Sequence, residues 1–310
     1  MRVVHHPITF DLETVVREEL PFMSAFYRYK GQLNSDVQDL LAFPVANQEA
    51  MPFYTIKEST TYKLNQQFEH YYNMMLSALE FAFEDRELLS KYFDCQFLRE
   101  HGDRFIPYAK ATFERKHPAL YGRFDACFDP ETEELLGVYE FNGDTPVMLF
   151  ESVNLQARFS QELGTDQYNN WWDIATGRFR YEMKNFAVVC GTDYVEDMAT
   201  CETVAQAFQT AKGDRNVSFL DLKELDFDHM RIGKPFIARD DVKPLDGMYI
   251  LSPWEEMVEN FPTLVPVSQR DDGSLHAPHA DRSSFPGAIQ RYCVDSNLLV
   301  PARAIHEVFA

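Results

Sequence analysis

Basic residues are scarce in this chain. Lys and Arg number 29 against 49 Asp and Glu, a formal net charge of −20. That balance disfavours duplex nucleic acid and an anionic membrane surface as main partners. A solvated acidic surface accounts for most of it, and a cationic ligand such as a polyamine would suit it. Cysteine is equally sparse. Cys95, Cys127, Cys190, Cys201 and Cys293 are odd in number and include no C-x-x-C pair, which argues against a disulfide framework or a thiolate zinc site. No window reaches the apolar length of a membrane span. The opening "MRVVHHPITFDLETVV" has no sustained apolar core of a secretory signal, so a cytoplasmic location is expected. His5 and His6 read as a solvated pair rather than a metal site. No internal repeat or low-complexity tract stands out, and no lysine follows Lys243.

What is present points to a globular chain. Its 310 residues are 45% hydrophobic, with 26 Phe and 15 Tyr, ample for a large core. Leu64, Phe68, Tyr72, Met75 and Leu79 recur at helical spacing, with Ser59, Thr60 or Thr61 as the expected cap. A second helix is expected through "IPYAKATFERKH". "FAVVCG", "VSFLDLKEL" and "GMYIL" read as buried strands, and "EDMATCETVAQAFQTAK" between the first two reads as a helix, so a βαβ rhythm and a mixed α/β fold are expected. From Glu259 onward the chain turns polar and loses periodicity, which reads as loop. The expected division is 1–258 for the main domain and 259–310 for a divergent tail.

The chemistry concentrates in "YGRFDACFDPETEELLGVYEFNGDTPVMLFES". Arg123 to Phe128 and Leu135 to Asn142 read as extended runs flanking the turn "DPETEE". Residues two apart on a strand share a face. Arg123 and Asp125 therefore share one, as do Glu140 and Asn142. If the strands are neighbours, a guanidinium, two carboxylates and an amide gather on one sheet face. Hard divalent cations take such oxygen ligands, and arginine suits phosphate. Thr145 and Pro146 read as the N-cap and first residue of a helix whose N–H groups would favour an anion. A cross-strand ion pair is the plain structural alternative, and spacing leaves both open.

Three motifs, "YGRFDACFD", "YEFNGDTPVMLFES" and "LSPWEEM", together resemble the glutathionylspermidine synthase family, whose synthetase part has an ATP-grasp fold. The resemblance covers roughly 53–258 and includes no amidase domain. It implies an ATP-dependent carbon–nitrogen ligase that joins a glutathione-like peptide to a polyamine-like amine through an acyl phosphate. It implies Arg123 as the catalytic contact to the transferred phosphate, and Asp125, Glu140 and Asn142 as magnesium ligands. Thr145 falls near peptide and phosphate, and Trp254 and Glu255 are structural. Gly143 stands where the family usually has Ala. The family's later lysine-bearing segments, W-K-x-x-L-S-N-K and K-P-x-x-x-R-E-G, find no match after Trp254, and Arg270, Arg282, Arg291 and Arg303 lie in unmatched context. The C-terminal ATP-binding half is therefore expected to be incomplete. The alternative reading is a truncated or pseudoenzyme form that binds peptide or metal without ATP turnover. A magnesium-dependent phosphohydrolase recruiting Asp144 and Glu151 is a third.

Overall fold

The computed structural model describes residues 2–6, 19–29, 51–85, 96–114, 120–179, 185–212, 216–227, 236–238, 245–253, 256–257, 268–269 and 275–276. Helices and strands intermix in an α/β fold, as the sequence predicts. β1 (Arg2–His6) pairs antiparallel with β2 (Met51–Thr55), across a long stretch of chain. Helix α1 (Pro21–Tyr29) lies between them in sequence. The long helix α2 (Glu58–Glu84) follows, then α3 (Gln96–Glu114).

Helix α2 uses the stripe that the spacing predicts. Leu64, Met75 and Leu79 are buried. Phe68 stacks on Phe124 at 5.3 Å, and Tyr72 meets the Phe141 ring edge-on at 5.8 Å. Its start differs from expectation. The N-cap position is Lys57, with no side-chain cap. Thr60 already lies inside the first turn and donates its hydroxyl to Glu133, while Thr61 bonds the Glu58 carbonyl at 2.7 Å. An acid from a distant turn thus reaches the helix start, where negative charge is favoured.

That turn belongs to the hairpin of β3 (Arg123–Asp129) and β4 (Glu134–Asn142). Asp129 closes it by accepting the backbone N–H groups of Glu131 and Thr132 at 2.8 and 3.3 Å. Phe124 and Phe141 face α2 and pack at 4.7 Å from each other. A helical stretch beginning at Leu149 then passes through a π-helical turn (Glu151–Leu155) into α4 (Gln156–Leu163). Gly164 ends it in the left-handed conformation, φ +61°, which costs glycine little. α5 (Trp171–Arg178) comes next.

The core is a three-stranded parallel sheet, order β6-β5-β9, made of β5 (Asn185–Cys190), β6 (Asn216–Asp221) and β9 (Gly247–Leu251). Helix α6 (Val195–Lys212) connects β5 to β6. Alternate residues of the sheet serve two apolar clusters. Phe186, Val188, Cys190, Tyr249 and Leu251 pack with α6 and α1; Ala187, Val189, Met248 and Ile250 pack with Phe105, Ala109 and Leu225. β5 and β9 are buried on both faces and need unbroken apolar runs, which is why theirs were legible. β6, at the sheet edge, is only half-buried from Val217 to Leu220 and gives way at Leu222 to a short 3-10 turn, which corrects the expectation of one buried strand through "VSFLDLKEL". Two small antiparallel pairs complete the description: β7 (Leu225–Phe227) with β8 (Phe236–Ala238), and β10 (Ser268–Gln269) with β11 (Leu275–His276). The last pair corrects the loop reading of the polar C-terminal stretch at these four residues. No described helix is long and apolar enough to cross a membrane.

Candidate functional site

The hairpin register sets the site. Arg123 lies opposite Asn142, and Asp125 opposite Glu140. Beyond that pair the register slips, because Ala126 faces Val138 and Phe128 faces Leu135. Tyr139 and Leu136 are thus bulged out of the ladder, and both are exposed. Bulges re-aim side chains and gather beside functional sites. Here they fall on the turn side of the four polar residues and leave that set on one face.

The four side chains touch. Arg123 donates Nε to Asp125 Oδ1 at 2.8 Å and Nη2 to Asp125 Oδ2 at 3.1 Å, a two-pronged pair. Asn142 donates Nδ2 to Glu140 Oε1 at 3.0 Å and to Asp125 Oδ2 at 3.4 Å. The Arg123 fork holds the Asp125 carboxyl below the usual carboxylate range, against some desolvation. Asp125 in turn raises the Arg123 guanidinium above its ordinary value. Arg123 and Asp125 remain partly open to solvent, at 26% and 37%. An ion pair this exposed contributes little to stability, about 0–1 kcal/mol.

This arrangement differs from a simple cross-strand ion pair. Arginine pairs within its own strand, and across the strands two carboxylates face each other. Like charges directly opposite destabilise a strand pair, so folding alone gives no reason for Glu140 opposite Asp125. An amide N–H group occupies the place between them. Among the described residues no group of three or more His, Cys, Asp and Glu side chains is placed to hold a metal. The set here is two carboxylates and an amide, all hard oxygen donors once the amide presents its oxygen.

The strand-to-helix loop departs from expectation. The helix opens at Leu149 rather than Pro146. Its first bond runs from Ser152 N to Met148 O at 3.2 Å. Met148 has φ +71°, left-handed for a non-glycine residue, and this interrupts any helix beginning at Pro146. Thr145 is therefore a half-buried loop residue and not the N-cap. Burial pushes the Glu151 carboxyl up; Glu196 adds to the rise and Arg123 opposes it.

Two groups escaped the sequence reading. Tyr121 donates its hydroxyl to the Val147 carbonyl at 2.9 Å, and Arg123 Nη1 donates to the same oxygen at 3.3 Å. Tyr121 stands two residues before Arg123, so the same period-of-two argument could have found it. The second group is acidic. Asp197, in the first turn of α6, is pushed up to about 6 by burial and by Glu196 and Glu256. Glu256 follows the C-terminal end of β9, which no local pattern places beside α6. Trp254, Glu255 and the arginines from Arg270 onward lie outside the described residues.

The family model described as glutathionylspermidine synthase preATP-grasp matches residues 45–269. That span contains the hairpin, the parallel sheet and α6. Comparison with curated proteins finds no match.

Proposed function

The chain belongs to the glutathionylspermidine synthase preATP-grasp family, a family of ligases, and on that premise we propose that its hairpin is the phosphate- and metal-binding part of an ATP-dependent carbon–nitrogen ligase. A peptide carboxylate takes the terminal phosphoryl group of ATP, its oxygen bonding phosphorus as ADP leaves. An amine nitrogen then bonds the acyl carbon as the carbon–oxygen bond breaks. The ammonium form sheds two protons, one of them carried off by the departing phosphate. The observation that carries this reading is Asp125 directly opposite Glu140, with the Asn142 amide between and the Arg123 fork alongside.

Arg123 is assigned to the charge that grows on the transferred phosphoryl group. Asp125, Glu140 and Asn142 are assigned as magnesium ligands; the ion, when bound, neutralises phosphate oxygens. Thr145, in the loop that follows, is assigned to the peptide or phosphate end of the same site. The acid is glutathione-like by family. The amine is polyamine-like, a choice supported by the net charge of −20 and by the acidic neighbourhood of Glu196, Asp197 and Glu256.

The test is equilibrium binding of magnesium–ATP together with ADP release on adding glutathione and a panel of polyamines. The expected result is amine-dependent ADP release that disappears in Arg123→Ala. Magnesium–ATP binding that is indifferent to both Arg123→Ala and Glu140→Gln refutes the site. A second reading, binding of peptide or metal without turnover, is favoured by the absence of any lysine after Lys243. Tight magnesium–ATP binding with no ADP release decides for it.

A further inference from the structure

We propose that Tyr121 is a positioning residue for Arg123, acting through the Val147 carbonyl, and that the left-handed backbone at Met148 aims that carbonyl. The proposal rests on the phosphate site assigned above and deepens it.

A guanidinium has five N–H groups in a fixed plane. Nε and Nη2 of Arg123 are spent on Asp125, and Nη1 on Val147 O. That leaves one N–H on each terminal nitrogen, the pair that grips an anion. Whether they point usefully depends on the groups that hold the other three. Asp125 lies on the same strand and is set by the pleat. Val147 lies on a loop and needs fixing by something else. Its carbonyl has two lone pairs; Arg123 takes one and Tyr121 Oη takes the other. The tyrosine is half-buried, and desolvation pushes its hydroxyl pKa up to about 12. It therefore remains a donor throughout the working pH range.

The backbone at this carbonyl is unusual in two further respects. Met148, the next residue, is left-handed at φ +71° although its side chain is 44% exposed. No burial of that side chain accounts for the strained conformation. Strain that packing does not require is a reason to look for function. A π-helical turn follows at Glu151–Leu155, and such turns recur at functional sites. Gly122, between Tyr121 and Arg123, has a matching constraint. A Cβ there would come within 2.5 Å of the Phe141 ring. Glycine lets the strand lie flat on that ring with Tyr121 and Arg123 both turned to the loop.

The experiment is a double-mutant cycle read by calorimetry of magnesium–ATP binding. Tyr121→Phe keeps the ring in the core and removes one hydrogen bond. It should weaken binding about tenfold in the wild-type background. In Arg123→Lys, where no fork remains to aim, the same change should cost less than about twofold. Equal losses in both backgrounds, or no loss in the wild type, overturn the proposal while leaving the phosphate site intact. Absence of wild-type binding overturns the phosphate site, and this proposal with it. Should Tyr121→Phe fail to fold, Met148→Gly serves instead. Glycine accepts the left-handed backbone without strain but no longer confines the loop to it. The melting temperature should hold or rise while binding weakens, and unchanged affinity with Met148→Gly overturns the proposal.

Discussion

In strand β5 every residue from Phe186 to Cys190 is fully buried, while in β3 every residue from Arg123 to Asp129 is only half-buried. The two strands lie in one chain but make different use of the sheet. β5 is covered on both faces by apolar clusters. β3 and β4 press Phe124 and Phe141 onto α2 and leave the other face to solvent. Charge is tolerated on the second kind of strand because water still reaches it. On the first kind it is costly, and the residues packed around that sheet record the cost. Glu202 on α6 is wholly buried, and its carboxyl is pushed up to about 7 by that burial. It survives there by accepting the N–H groups of Phe22 and Met23 at 3.1 and 2.7 Å and the amide of Gln206 at 2.9 Å. Glu202 thus caps the start of α1 from 180 residues away.

The largest expected effect lies in the buried sheet. Phe186→Ala should destabilise the chain by about 3–5 kcal/mol in denaturant unfolding, because its ring stacks on Phe208 at 4.4 Å and meets Phe179 at 5.6 Å. Phe124→Ala on the hairpin should cost clearly less, since Phe124 is only half-buried. Equal losses would break the distinction between the two strand systems.

The next effect is pH dependence. The pKa of Glu202 is raised by burial from its ordinary value of 4.5 to about 7 in the folded chain. Its contribution is therefore fully present below pH 4.5 and is lost as pH rises through 7. Stability should fall across that window by about 3 kcal/mol, with Asp197 acting in the same sense at about 6. Thermal melts of Glu202→Gln against pH should show a flatter profile than the wild type. An unchanged profile would mean that the buried carboxylate is not what the pH dependence reports.

The smallest effect on stability belongs to the hairpin. Glu140→Gln removes one of two facing carboxylates and should leave the melting temperature unchanged or raise it slightly, by less than about 1 kcal/mol in stability. The same change should weaken magnesium–ATP binding at least tenfold. Clear destabilisation by Glu140→Gln would make the carboxylate pair structural and erase the contrast with Glu202.

Much of this contrast was legible before any coordinates. Alternation in Arg123 to Phe128 and in Leu135 to Asn142 identified two strands and the residues of one face. Two unbroken apolar runs, Phe186 to Cys190 and Gly247 to Leu251, identified the buried strands of the parallel sheet; the half-buried edge strand β6 was read from a mixed run. The aromatic and methionine stripe from Leu64 to Leu79 identified α2. The misses share a cause. Thr145 and Pro146 form a good local helix start, but Met148 turns left-handed and delays the helix to Leu149. Ser59, Thr60 and Thr61 offered a cap for α2, but the structure places Lys57 there and brings Glu133 to Thr60.

Local spacing acts over a few residues, and it determined which side chains share a strand face and which stretches must be buried. It therefore determined the Arg123, Asp125, Glu140 and Asn142 grouping up to the pairing of the strands. Only the tertiary structure decided the partner of each group: Asp125 opposite Glu140, the Val147 carbonyl shared by Tyr121 and Arg123, Glu202 capping α1, Glu256 beside Asp197. Those pairings join residues that are distant in the chain or separated by an irregular loop. A buried or charged group takes whichever partner packing brings within hydrogen-bonding distance, and no period along the chain encodes that choice.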